Sequence, residues 1–214
     1  MLLRVILLAC LPVRALSCEV ALALTIDVSS SVDVGEYALQ VKGLADALEL
    51  PSIRNVLIEA DARLLVIQWS GVNKQQVMIP WTVMTDIPTI QRFADTARAL
   101  PRAFRDSDTA PGDAIDFSVR QFAEVQDCKR RVIDISGDGP ENAGGETRLA
   151  SARAFAQGIE VNAIAIESIG IAISNYYRKV VITPGGFVVT ARDHEDYPRA
   201  IAEKLYREIA KITS

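Results

Sequence analysis

Five residues in this sequence carry oxygen chemistry in a suggestive order. Asp27, Ser29 and Ser31 form an Asp-x-Ser-x-Ser run. Thr109 follows Asp108, and Asp138 stands in the turn Ser136-Gly137-Asp138-Gly139. Carboxylate and hydroxyl oxygens are hard donors. A set of them without thiolate or imidazole suits Mg²⁺ or Mn²⁺. In a tight loop entering a helix, alternate residues of the first run can point inward at one ion. Singly, each piece has an ordinary explanation. Ser31 or Asp33 reads as a helix cap, Thr109 as another, and Gly-Asp-Gly as a turn. Their combined placement is what points to a metal site.

The elements that must position them alternate along the chain. Runs rich in Val, Ile and Leu at roughly 20–27, 62–69, 131–136, 159–166 and 186–190 read as buried strands. Segments of helical period lie at 33–49, 110–125, 146–157 and 197–212. In the first, Val34, Ala38, Val41, Ala45 and Leu48 form one stripe, with Asp33 and Glu36 as a capping-box pair. Pro111 falls in the first turn of the second, and Gly158 stops the third. In the last, Asp196 is the expected cap and Ile201, Leu205, Ile209 and Ile212 the apolar face. The strand at 62–69 runs through Ser70-Gly71-Val72-Asn73 into a second extended run, Gln76 to Pro80, which predicts a hairpin. The expected fold class is therefore α/β, a three-layer α/β/α arrangement with a mostly parallel sheet and one antiparallel edge strand. Ligands of such sheets bind outside the carboxyl ends of the strands, where Asp27, the Thr109 loop and Asp138 should converge.

Composition narrows the function. The chain has 214 residues, half of them apolar and 23% charged, which suits one globular domain. Its net charge of −4 weighs against nucleic acid or an anionic membrane as partner. The single His194 leaves too few imidazoles for a His-rich zinc site. The N-terminus has Arg4, an apolar run from Val5 to Val13, then Ala15-Leu16-Ser17 before Cys18. That is the layout of a signal peptide over 1–17, leaving a domain over 18–214. The apolar run is too short for a transmembrane span, and a buried N-terminal strand is the other reading. Export to the periplasm or exterior would remove Cys10 and leave Cys18 and Cys128, an even count where disulfides form. If their strands are parallel neighbours, a bridge would close a loop of about 110 residues, nominally worth ~4–5 kcal/mol. A lipidated Cys18 is the rival reading.

Asp27-x-Ser29-x-Ser31, Thr109 and Asp138, in that order, resemble the metal-ion-dependent adhesion site of a von Willebrand factor A domain. The resemblance spans about 20–212. The segments Gln68-Trp69-Ser70-Gly71, Pro80-Trp81-Thr82 and Ile133 to Gly139 resemble an exported bacterial subgroup of unknown function. The resemblance implies that Ser29 and Ser31 ligate the metal directly. Thr109 would do so in a ligand-engaged state, and through water or not at all otherwise. Asp27 and Asp138 would hold metal-bound waters and orient the serines, with Asp138 closer at rest. An outward coordination position would accept an exposed Asp or Glu of a protein partner. Carboxylates held one layer back leave the ion electrophilic enough to attract a third.

Other residues have two readings each. Asp134, inside a buried strand, either supports the metal loop or lies on a less buried face or beside an Arg. Trp69, Ser70 and Asn142 are candidates for a partner-contact surface, with core packing the alternative for Trp69. Trp81 should pack in the core at the far end. His194, within Asp193-His194-Glu195-Asp196, reads as part of a solvated helix cap, with a second metal site as the other reading, and Lys129-Arg130-Arg131 reads as a solvated cluster. The functional expectation is a non-catalytic binding module. The sequence has no Gly-x-Ser-x-Gly elbow. An alternative is Mg²⁺-dependent phosphoryl transfer with Asp27 as nucleophile, although Ser29 occupies the place of the expected second acid. A further alternative is an assembly protein in which the metal only orders the loops.

Overall fold

The computed structural model describes residues 18–105, 107–167 and 172–210. Residues 1–17, expected to be a signal peptide, and Ile212 lie outside them. In chain order the elements are β1 (Val20–Asp27), α1 (Val34–Leu48), α2 (Pro51–Glu59), β2 (Arg63–Trp69), β3 (Gln75–Val83) and α3 (Ile87–Arg98). There follow α4 (Pro111–Gln121), β4 (Arg130–Gly137), α5 (Thr147–Ala156), β5 (Ile159–Ile166), α6 (Ala172–Tyr176), β6 (Val188–Ala191) and α7 (Tyr197–Ala210). A π-helical turn, Tyr177–Val181, continues α6.

The six strands are ordered β3-β2-β1-β4-β5-β6. Every adjacent pair is parallel except β2 with β3. The expected hairpin is therefore the antiparallel edge. β1 is central and buried at every position. Its alternation assigns sizes to faces. Leu22, Leu24 and Ile26 join one apolar cluster with residues of α1 and α7. The smaller Ala21 and Ala23 join the other, with residues of α4 and α5. Small residues on that face let its helices approach the sheet closely.

Helix α1 starts where expected. Asp33 accepts from the Glu36 amide at 2.8 Å, and Glu36 accepts from the Asp33 amide at 2.7 Å. Gly158, at φ +69°, follows α5 as its stop. Thr109 is not the cap of α4; Ala110 holds that position with no side-chain cap. α2 and α3 were not among the four helices expected. α2 buries only Ile53 and Leu57 and starts at Leu50 without a side-chain cap, so its sequence signal is weak. α3 carries a cap, Asp86 accepting from the Thr89 amide at 2.8 Å.

Cys18 and Cys128 form a disulfide, with Cα atoms 4.6 Å apart. β1 and β4 pair in parallel from Val20 opposite Arg130, so both sulfurs reach the same edge of the sheet. The bridge occupies the Cys18 sulfur that lipidation would need. Lys129 and Arg130 are not simply solvated: they pair with Glu19 at 2.5 Å and Glu160 at 3.4 Å. Trp81 packs on Phe122 with ring centroids 5.3 Å apart and donates to the Gln121 carbonyl at 3.0 Å.

Asp134 corrects the expectation of a less buried face or an arginine partner. It is 2% exposed, and its partner is Lys204, whose Nζ lies 2.6 Å away. Lys204 sits within the apolar stripe of α7, fully buried, and also meets Glu208 at 2.5 Å. Asn162 donates to Glu208 at 3.0 Å. Burial pushes both carboxyls up against the pull of Lys204, Glu208 to about 8. Two buried acids thus share one buried cation.

Candidate metal centre

β1 ends at Asp27, flanked by Trp69 on β2, while its neighbour Ile26 pairs with Ser136 on β4. The chain turns at once: the Ser29 amide donates to Asp27 Oδ1 at 2.7 Å. That short bond folds the loop back, so that Ser29 Oγ lies 3.2 Å from Ser31 Oγ. Ser31 Oγ in turn donates to Asp138 Oδ1 at 2.6 Å. Asp27, Ser29, Ser31 and Asp138 therefore form one connected oxygen cluster across two loops. Arg102 clamps the first loop by donating to the carbonyls of Val28 and Ser29 at 2.9 and 2.8 Å. Sequence reasoning did not find Arg102; nothing local marks a residue that acts across 73 positions.

The Thr109 loop is tied in from both sides. The Ser30 amide and hydroxyl both donate to the Ser107 carbonyl, at 2.9 and 2.7 Å. The Thr109 amide donates to Asn142 Oδ1 at 2.8 Å, and the Asn142 amide to the Thr109 carbonyl at 3.0 Å. Thr109 is nearly buried, 5% exposed. Asn142 thus couples the Thr109 loop to the loop after Asp138. Ser70 ties the same region, donating to the Asp108 carbonyl at 3.0 Å and accepting the Ala110 amide at its own carbonyl. Trp69 and Ser70 are both fully buried: Trp69 takes its core-packing alternative, and Ser70 is corrected from a partner-contact surface. The Thr109 loop covers the end of β2.

Electrostatics at the centre are unbalanced. Asp27 is fully buried, and its Oδ2 has no hydrogen-bond partner. Burial, then the nearby Asp138 carboxylate, push Asp27 up to about 7 against the Ser29 amide bond. Below it, the Tyr177 hydroxyl is also buried without a partner, and burial and the two aspartates push it well above its usual value. Gly137 is what permits this approach. A Cβ there would lie 2.3 Å from Tyr177 Oη and 3.0 Å from Asp27 Oδ2. Among the described residues, no three His, Cys, Asp or Glu side chains are grouped to hold a metal. A metal here would rely on hydroxyl oxygens. The donor set and the orphaned carboxylate oxygen fit a hard divalent cation, whose charge would relieve both the desolvation of Asp27 and its repulsion by Asp138.

His194 lies beside this cluster, which corrects its reading as a solvated cap in a separate loop. Its Nδ1 is 3.1 Å from Glu36 Oε1 and its Nε2 is 3.9 Å from Asp138 Oδ2. It has no hydrogen bond to Ser29 or Ser31, so no Ser–His pair is present among the described residues. Asp196, the expected cap of α7, instead gathers Arg192 and Arg199 at 3.1 and 2.8 Å.

Solved structures share this architecture. Proximal thread matrix protein 1 from the mussel byssus superposes with a TM-score of 0.67 at 14% identity, over 91% of this chain and 48% of that one. A von Willebrand factor type A protein from Catenulispora acidiphila does so with a TM-score of 0.61 at 17% identity, over 91% and 42%. The pilus adhesin SpaC from Lactobacillus rhamnosus GG, in an open conformation, gives 0.63 at 13% identity, over 90% and 30%. This chain spans about half or less of each. At such identities the likeness is one of fold, and the fold is that of a von Willebrand factor A domain. The profile of a protein family of unknown function, DUF1194, matches residues 17–213. The chain belongs to the DUF1194 family. No curated protein matches it. In this DUF1194 chain the von Willebrand A fold carries a hydroxyl- and carboxylate-lined cluster at the carboxyl edge of its sheet.

Proposed function

We propose that this DUF1194 protein is an exported binding module that captures an acidic side chain of a protein partner through a divalent cation. The observation that carries this reading is the continuous chain of contacts from Asp27 through Ser29 and Ser31 to Asp138. Ser29, Ser31 and Thr109 would hold Mg²⁺ or Mn²⁺ through their hydroxyls. Asp27 and Asp138 would orient those hydroxyls and balance charge. The ion would supply the positive charge that a partner carboxylate meets. A structure of the mussel protein is described with a zinc-occupied site of this type, which supports a divalent ion on this fold. The adhesin and matrix proteins that share the fold support a binding role. The disulfide and the N-terminal sequence support export over 1–17, with the domain at 18–214.

The phosphoryl-transfer alternative fits poorly. A nucleophilic carboxylate must reach its substrate, and Asp27 is fully buried with one oxygen tied to the Ser29 amide. A purely structural metal remains a distinct outcome of the test. Calorimetric titration of Mg²⁺ into the protein should show binding that Asp27→Ala and Ser29→Ala abolish. A second titration with an acidic peptide should bind more tightly in Mg²⁺ than in EDTA. Metal binding without any metal-dependent peptide binding would leave the loop-ordering role. No metal binding would end the proposal.

A further inference from the structure

On the α4/α5 side of the sheet, α5, the π turn and the link to β6 enclose a groove of about 530 Å³. It shares no residue with the metal centre. Phe155, Val180 and Ile182 give it an apolar lining, and Phe155 is 52% exposed. Arg148, Arg178 and Lys179 also line it, and no carboxylate does. The π turn sets Arg178, Lys179 and Val180 in succession along one wall, closed by the Ile182 amide donating to the Tyr177 carbonyl at 3.1 Å. π turns are costly and are found mostly at functional sites. Ser151 Oγ, donating to the Val181 carbonyl at 2.5 Å, fixes that wall to α5.

Several cations elsewhere on the surface are already paired. Lys42, Arg63, Arg98, Lys129 and Arg153 each meet a carboxylate. Among the described residues none of the three groove cations does, and Arg178 finds only the Thr190 hydroxyl, at 3.4 Å. On a chain of net charge −4, this apolar trough carries three cations and no carboxylate. Arginine beside exposed aromatic surface is the composition of a binding interface. The trough is concave, so a planar bilayer would not reach its floor. Its cations stand on two walls, Arg148 on α5 and Arg178 with Lys179 on the π turn, which suits several carboxylates on an extended chain better than one phosphate.

We infer that this groove binds an extended peptide segment, alternating acidic and apolar residues, on a partner protein. Its carboxylates would pair with Arg148, Arg178 and Lys179 while its apolar side chains cover Phe155, Val180 and Ile182. Binding here needs no metal. The probe is a fluorescently labelled decapeptide alternating Glu and Leu, followed by anisotropy in EDTA at low salt. The expected result is saturable binding, weakened roughly tenfold by Arg148→Ser with Lys179→Ser and similarly by high salt. A Gln–Leu peptide should not bind. Both substitutions are at exposed positions outside the metal centre, so Mg²⁺ calorimetry should read the same in the double variant and report its folding. No binding in EDTA, binding that appears only with Mg²⁺, or binding unchanged in the double variant would each overturn the proposal. Sedimentation with phosphatidylglycerol vesicles without peptide binding would assign the groove to a membrane surface instead.

Discussion

Carboxylates are buried in two parts of this molecule, under opposite arrangements. In the core between β4, β5 and α7, Asp134 and Glu208 face Lys204, an internal cation held at 2.6 and 2.5 Å. At the carboxyl edge of the sheet, Asp27 and Asp138 have no lysine or arginine within ion-pair distance among the described residues. The nearest guanidinium, Arg102, spends its hydrogen bonds on the carbonyls of Val28 and Ser29. The first arrangement holds a cation of its own and is closed to solvent. The second is charge-deficient, faces loops, and is lined by neutral hydroxyls. The chain buries a lysine beside one acid pair and none beside the other, and on the proposed function a cation from solution would fill that place.

Removing the internal cation should give the largest effect. Lys204→Met strands two buried acids and is expected to cost about 3–5 kcal/mol in urea unfolding. Combining it with Asp134→Asn and Glu208→Gln should recover most of that loss. A single Lys204→Met variant as stable as wild type would break the comparison.

The next effect has the opposite sign. Asp27→Asn removes a buried charge but keeps an oxygen for the Ser29 amide. In EDTA at pH 8 it should stabilise the protein by about 1–3 kcal/mol while abolishing Mg²⁺ binding. The pH dependence sharpens this. Glu208 is raised from 4.5 to about 8 and Asp27 from 3.8 to about 7, so the folded state holds protons that the unfolded chain has released. Their stabilising contribution is full below pH about 4 and is lost as pH rises towards 8. Asp196 runs the other way: Arg199 and Arg192 hold it low, so its contribution is already complete above the ordinary carboxylate range. Urea midpoints in EDTA should therefore fall between pH 5.5 and 8.5. Saturating Mg²⁺ should flatten the Asp27 part of that slope and leave the Glu208 part. A midpoint that rises with pH over this window would contradict both assignments.

The smallest effect concerns His194. His194→Ala removes the side chain beside Asp138 and Glu36 and should weaken Mg²⁺ binding by about tenfold, with little change in unfolding. Unchanged affinity would make the histidine a bystander.

Much of this was legible in the residues. Val20 to Leu24 of β1 form an apolar run because both faces of the strand are covered, and Asp33 with Glu36 announced α1. The five oxygen-bearing residues could be singled out because the strand pattern brings the strand end and loops that carry them to one edge. Arg102 and His194 were not legible, since each acts on a loop far along the chain. Ser70 was misread, and Trp69 left between core and surface, because a strand end looks exposed until the Thr109 loop is seen to hydrogen-bond over it. Lys204 hid inside an apolar stripe, where its spacing is that of the core residues Ile201 and Leu205.

The most direct test of the central claim is a crystal structure of the protein grown with Mn²⁺, read by anomalous scattering. The account predicts one strong peak within bonding distance of Ser29 Oγ and Ser31 Oγ, with Asp27 and Asp138 oriented around it. No peak there, or a peak only between Glu36, Asp138 and His194, would contradict a hydroxyl-held cation at the edge of this sheet.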